Sequence, residues 1–289
     1  MKFILIGFMI LLLSSACTCQ EVALEFVNKE AEFKTFKHNG LTRQYILYKP
    51  ANLPANAPLV FGLHGKGSNG VDLEAYSDMD TLAEENGFVV VYPQGAPDYA
   101  NSSHWNSNLK ISTVDDVGFL TELAKHLQYE HNLNSEKTFI FGHSNGGFMS
   151  YTLACKAPGV FKAIASVAGT MSGFDWKHCK NAKPVSILHI HGMQDQVVPI
   201  DGRMSKGGGW GGAPHVDEVI SFWAKVNQST ITETAFFEPN INVFYYKNPD
   251  NKNEIWYCKI DDLGHDWPES LFPRGTVTSE VIWDFFSRL

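Results

Sequence analysis

Residues 139–148 read FIFGHSNGGF, an apolar run that ends on a serine set among glycines. Gly142-His143-Ser144-Asn145-Gly146 fits G-x-S-x-G, the pattern of a sharp strand-to-helix turn that lifts a serine hydroxyl above a sheet. Side chains at the flanking positions would collide with such a turn, which accounts for the glycines. A hydroxyl raised in this way, with helix N-terminal amides aimed at the same space, suits nucleophilic attack. Ser144 is the candidate nucleophile.

A serine hydroxyl is weakly nucleophilic at neutral pH, so it needs a base, and the base needs an orienting carboxylate. After a turn of this kind the partners follow in the order serine, acid, histidine. HIHGMQDQVVP (189–199) puts Asp195 three residues past a buried strand, with Asp201 farther on as the rival acid. IDDLGHDWP (260–268) puts His265 in the loop after the strand-like run 255–260. His189 and His191 fall in or at the end of a strand and are expected in the core or behind the site. The oxyanion of acyl transfer needs two preorganised donors. The amide of Asn145 can supply one, and the amide of Lys66, in the turn LHGKGSNG (63–70), is the choice for the second.

These residues must be positioned by strands and helices. Continuous apolar runs at 57–65, 87–95, 138–143, 161–169 and 185–192 have the character of strands buried on both faces. Between them, 76–86, 114–132, the stretch from Asn145 onward and 216–226 have helical spacing. A hairpin over 31–48, strands near 242–246 and 255–260, and a last helix near 277–286 complete the pattern. Alternation of this kind implies an α/β protein with a mostly parallel sheet covered on both faces. Ligands in such sheets bind beyond the carboxyl ends of the strands, where the motifs lie. Asp115 and Asp116 open a helix, where capping is the ordinary role. The glycine-rich stretch 204–215 carries Trp210, which with Trp105 and Trp267 is expected to wall a substrate cleft.

The segments LHGKGSNG, VVYPQG, HWNSN with VDDVGFL, GHSNGGFMSYTLAC, FKAIASVAGTM, LHIHGMQDQVVP, VISFWAKVN and GHDWP together resemble secreted serine esterases. These are the polyhydroxybutyrate depolymerase-like and feruloyl esterase proteins of the α/β-hydrolase fold. The resemblance runs from about residue 40 to the end. It implies Ser144, Asp195 and His265 as a triad and a carboxylic ester as substrate, with no cofactor and no metal. Depolymerases of the family often carry Cys where this chain has Lys66, a departure that a backbone donor tolerates. The expected substrate is a soluble feruloyl or acetyl ester on a polysaccharide fragment, since no polymer-binding module on a linker is evident. A hydroxyalkanoate oligomer is the alternative. An exported peptidase and a non-catalytic binding protein of the same fold are the other readings.

Composition sets outer limits. A net charge of −8, spread without runs of like charge, favours neither nucleic acid nor an anionic membrane. No linker interrupts the body, so residues 20–289 are expected to form one domain, working as a monomer. Residues 1–19 have the form of an export leader, with Lys2 before an apolar run from Phe3 to Leu13. That run would rise only about 16 Å as a helix, short of a bilayer. Cys17 directly after Ser14-Ser15-Ala16 leaves plain secretion and a lipid-anchored lipoprotein both open. In an oxidising compartment Cys155 and Cys179 are expected to pair, leaving Cys258 reduced.

Overall fold

The computed structural model describes residues 31–237, 240–269 and 277–289. The leader and Cys17 lie outside them. Among the described residues no helix is long and apolar enough to cross a membrane.

Ten strands form one sheet. In chain order they are β1 (Glu32–His38), β2 (Leu41–Tyr48), β3 (Leu59–Leu63), β4 (Val89–Pro93), β7 (Thr138–His143), β8 (Ala163–Val167), β9 (Ser186–Gly192), β10 (Thr230–Phe237), β11 (Ile241–Lys247) and β12 (Ile255–Ile260). Two-residue strands β5 (Ala96–Pro97) and β6 (Ser103–His104) pair separately. The order across the sheet is β1-β2-β4-β3-β7-β8-β9-β12-β11-β10. From β4 to β12 the pairings are parallel, and both flanks are antiparallel. The parallel strands β3, β4 and β8 are buried at every residue, as their unbroken apolar runs require.

Helices close both faces. On one side Leu73, Met79 and Ala83 of α1 (Gly70–Ser77) and α2 (Met79–Asn86) pack with Val281, Ile282, Phe285 and Phe286 of α7 (Thr278–Ser287). On the other, α3 (Asp116–Glu130), α4 (Asn145–Lys156) and α6 (Val216–Val226) bury Leu123, Met149 and Trp223. In α6 the buried positions Val216, Val219, Ile220, Trp223 and Ala224 make one stripe of the helix. Each fully buried aliphatic of this kind stabilises by about 1.5–3 kcal/mol.

The structure departs from the sequence reading at three elements. The helix expected over 76–86 begins at Met79 and is preceded by another over 70–77, because Asp78 between them adopts a left-handed conformation (φ 47°) and accepts a hydrogen bond from Thr81 Oγ1 at 2.7 Å. Asp is one of the few residues that visits that region readily. The short helix α5 (Gly173–His178), capped by Ser172, and the edge strand β10 were not anticipated. Cys155 and Cys179 form a disulfide with Cα atoms 5.6 Å apart, tying α4 to the end of α5, and Cys258 is buried and free.

Candidate active site

Ser144 follows β7 and immediately precedes α4, with φ 52° and ψ −115°, a conformation few non-glycine residues hold. Strain of this sort costs on the order of 1–3 kcal/mol and persists only where surroundings fix it. Here Ser144 N donates to Val167 O at 2.8 Å, and Ser144 O accepts from Phe148 N at 3.1 Å. The glycines give room for the turn: a Cβ on Gly142 would lie 2.3 Å from the Gly146 carbonyl carbon, and one on Gly146 would lie 2.0 Å from Leu63 O.

The candidate base and acid arrive from two neighbouring strand ends. Asp195 sits just past β9 and His265 just past β12, which pair in parallel. Close passage of the two loops needs a bare backbone at Gly192, where a Cβ would meet Leu263 O at 2.2 Å. His265 Nδ1 lies 2.7 Å from Asp195 Oδ2, and His265 Nε2 lies 2.9 Å from Ser144 Oγ. An ionised carboxylate only accepts, so Nδ1 carries the proton and Nε2 offers a lone pair to the serine hydroxyl. Asp195 Oδ1 accepts from the amides of Val197 and Val198, both at 2.8 Å. Burial opposes its charge, but His191, His265 and the Val198 amide outweigh that and hold Asp195 well below the usual carboxylate range. Asp201, the rival acid, is exposed and pairs with Arg203 at 2.5 Å.

A ring cluster flanks the base. His143 stacks on His265 with centroids 5.7 Å apart, and its Nδ1 lies 3.3 Å from Tyr76 Oη. Trp267 packs against both His143 and Tyr76. Burial, reinforced by His265, lowers His143 to about 4, so it is neutral beside the base at neutral pH. Sequence reasoning gave neither His143 nor Tyr76 a part. The position of His143 inside the serine motif was the one available signal.

On the opposite side of Ser144 runs the turn 64–67, where a Cβ on Gly65 would lie 3.6 Å from that of Ser144. Lys66 belongs to this turn, and its ammonium is turned onto the Asp98 carboxylate. The Asn145 amide, at the first position of α4, has no partner within the helix by construction. The Asn145 side chain clamps Trp105: Oδ1 accepts from Trp105 N at 2.7 Å and Nδ2 donates to Trp105 O at 3.0 Å.

The three tryptophans separate. Trp105 is fully buried and its indole N–H donates to His64 O at 3.0 Å, so it offers no surface to a cleft and braces the turn that carries Lys66. That corrects its assignment as a substrate wall. Trp267 and Trp210 are half-buried; the first borders the His143–His265 pair, and the second meets Phe148, one helical turn beyond Ser144, edge-on at 5.2 Å. Of the acidic pair, Asp115 caps α3 by accepting from Gly118 N, whereas Asp116 is buried in an ion pair with Arg43 at 2.8 Å. A groove of about 630 Å³ lined by Lys125, Cys155 and Lys183 lies elsewhere and includes none of the triad.

Known proteins share this fold. The Prolyl oligopeptidase family matches residues 75–178, a stretch holding Ser144 but neither Asp195 nor His265. The acetyl xylan esterase of Aspergillus awamori superposes with a TM-score of 0.66 at 16% identity, over 89% of this chain and 100% of that one. The chain has the α/β-hydrolase fold. By sequence it is 32% identical over 177 residues to a probable feruloyl esterase C of Aspergillus flavus, covering 58% of this chain and 60% of that protein. It is 28% identical over 256 residues to a bifunctional acetylxylan esterase/xylanase of Neocallimastix patriciarum, covering 87% of this chain and 34% of that protein. The chain thus spans less than two thirds of the length of either sequence relative.

Proposed function

We propose that the chain is an exported serine esterase that cleaves carboxylic esters, with feruloyl or acetyl groups on polysaccharide fragments as the substrate class. The observation that carries the reading is the unbroken line from Ser144 through His265 to Asp195, with contacts of 2.9 and 2.7 Å. Ser144 Oγ attacks the ester carbonyl carbon as its proton passes to His265 Nε2. The tetrahedral oxyanion is held by the amides of Asn145 and Lys66. Collapse expels the alcohol, which takes that proton, and leaves an acyl group on Ser144. Water, deprotonated by the same nitrogen, then releases the acid. Asp195 stays ionised throughout, its two oxygens occupied by donors. The half-buried face of Trp267 and the exposed face of Tyr76, both packed on His143 next to His265, favour an aromatic acyl group, and the similar proteins named for feruloyl and acetylxylan esters support the same class. Export is supported by the leader pattern at residues 1–19 and by the Cys155–Cys179 bridge.

The test compares specificity constants for methyl ferulate, an aryl acetate and a soluble hydroxybutyrate oligomer. Turnover of the first two is expected, with loss of several powers of ten in Ser144→Ala and loss of labelling by a serine-directed phosphonate. Preference for the oligomer with no turnover of methyl ferulate would overturn the acyl class and leave the triad standing. An active, unlabelled Ser144→Ala enzyme would remove the triad itself.

A further inference from the structure

Behind Asp195 lies a line of buried polar side chains that ester cleavage does not itself consume. His189 and His191, two residues apart on β9, point to the same face and are both fully buried. Tyr151 Oη lies 2.8 Å from His189 Nδ1, His189 Nε2 lies 3.1 Å from His191 Nδ1, and the two imidazole planes are nearly parallel at 4°. His191 Nε2 lies 2.8 Å from Val198 O and 3.5 Å from Asp195 Oδ2, the oxygen that holds His265.

The direction of every proton in this line follows from its end. A carbonyl oxygen and an ionised carboxylate accept only, so His191 Nε2 must carry the hydrogen. His191 Nδ1 is then an acceptor and takes the hydrogen on His189 Nε2. His189 Nδ1 becomes an acceptor in turn, and the Tyr151 hydroxyl must donate. Each ring nitrogen is satisfied in one arrangement of neutral tautomers, with no water required. Burial keeps His189 far below its ordinary range, with the neighbouring His191 and the Lys259 cation acting the same way. From β12, Lys259 is committed to Asp217 at 2.8 Å, and the Tyr257 hydroxyl donates to that same carboxylate at 2.7 Å. From the elbow, His143 faces His265 and is neutral at neutral pH. None of these groups breaks the proton order of the line.

We propose that Tyr151, His189 and His191 form a buried positioning relay that fixes an N–H toward Asp195 and so sets how strongly that carboxylate holds His265. The inference rests on the reading of Ser144, His265 and Asp195 as the triad. Tyr151 is two hydrogen bonds from His191, and its hydroxyl completes the order that Val198 O and Asp195 impose by donating to the His189 Nδ1 lone pair. Without it, that lone pair is buried with no donor. The reversed tautomers that would relieve it aim the His191 lone pair at Val198 O and Asp195, so the N–H toward Asp195 is held less firmly. The carboxylate then loses a compensating dipole, and its fuller charge favours the protonated form of His265. The acid limb of kcat/KM, which reports protonation of the base in the free enzyme, must move to higher pH.

The experiment measures kcat/KM for an aryl acetate against pH in the wild type, Tyr151→Phe, His191→Phe and His191→Gln, with phosphonate titration counting active sites. Tyr151→Phe and His191→Phe are expected to move the acid limb up by about half a unit to one unit. Per active site, kcat should fall about tenfold with KM little changed, the scale of a lost hydrogen bond to a charged group. His191→Gln, which keeps an N–H near the Nε2 position, is expected to move the limb less than His191→Phe. A purely structural role would lower the melting temperature and the titrated fraction while the limb stays in place, and that result overturns the relay. If His191→Phe does not fold, Tyr151→Phe alone decides, since it removes one oxygen atom and keeps the ring. Ser144→Ala in the same assay separates the two layers. An inactive Ser144→Ala with a stationary limb in Tyr151→Phe removes the relay only, and an active Ser144→Ala removes the triad and the relay together.

Discussion

Ser144 stands between two supports built in different ways. On the proposed acid–base side, the groups are side chains, carried past the ends of β9 and β12 and backed by buried histidines on β9. On the side proposed to hold the oxyanion the groups are backbone amides, of the turn at Lys66 and of the helix start at Asn145, and side chains act as pegs. Asn145 grips Trp105, Trp105 grips the His64 carbonyl, Lys66 reaches Asp98, and Arg43 reaches Asp116. The difference follows from the chemistry. Moving a proton requires a chosen tautomer, which the hydrogen-bond partner of the other ring nitrogen imposes. Holding an oxyanion requires donors at fixed points, which a pinned turn provides whatever its side chains are.

The strongest break in this comparison is at the acid. Asp195→Asn keeps the shape but donates where it should accept, which reverses the His265 tautomer. A loss on the order of 10⁴ in kcat is expected, with the melting temperature changed by only a few degrees. Asp201→Asn disrupts an exposed pair with Arg203 and should leave steady-state rates near those of the wild type. If Asp201→Asn is the crippled variant, the acid has been misassigned.

Much of the acid–base side was legible in the sequence, because it follows from order along the chain. A buried strand, a glycine-bounded serine, then an aspartate and a histidine past later strands leave few other solutions. Trp105 shows where legibility ends. Its place in HWNSN is compatible with a cleft wall or with an internal brace, and the choice depends on whether its indole N–H meets His64 O, a residue 41 positions away. Asp116 is similar: at a helix start it has the form of a cap, and only the arrival of Arg43 from β2 makes it half of a buried pair. His191 falls between the two cases, since strand periodicity put it inside but gave no sign of its hydrogen-bond direction.

A second break falls on the pegs. Asp116 Oδ2 accepts from the Asn106 amide at 2.7 Å, next to Trp105, while its other oxygen faces Arg43, whose guanidinium lies 4.1 Å above Phe119. Asp116→Asn leaves the Arg43 charge buried and unpaired, a loss of about 3–5 kcal/mol in stability by denaturant unfolding. Because the loop behind the turn loosens, kcat should also fall, by about tenfold, with little change in the pH profile. A stability loss with no change in kcat would show that the Trp105 loop does not transmit to the oxyanion turn.

The smallest effect expected is at Lys66, and its smallness is the point. If the donor is the backbone amide, Lys66→Met should leave kcat within about threefold of the wild type at neutral pH, well short of the loss seen when an oxyanion donor is removed. What the side chain does is hold Asp98, whose carboxyl is lowered to about 2 by the Lys66 ammonium together with the Ser102 and Ala100 amides. Asp98 therefore contributes stability that is fully present above its unfolded value near 4 and is lost as pH falls through about 2. The ammonium is about one third exposed, so solvent screening keeps its share to about 1 kcal/mol or less. The stability deficit of Lys66→Met should be small at neutral pH and should fade as acid protonates Asp98 in both proteins. Chemical denaturation at several pH values, set beside kcat, checks both halves. Collapse of kcat at unchanged stability would mean that the ammonium itself meets the oxyanion, and the contrast between the two supports of Ser144 would fail on that side.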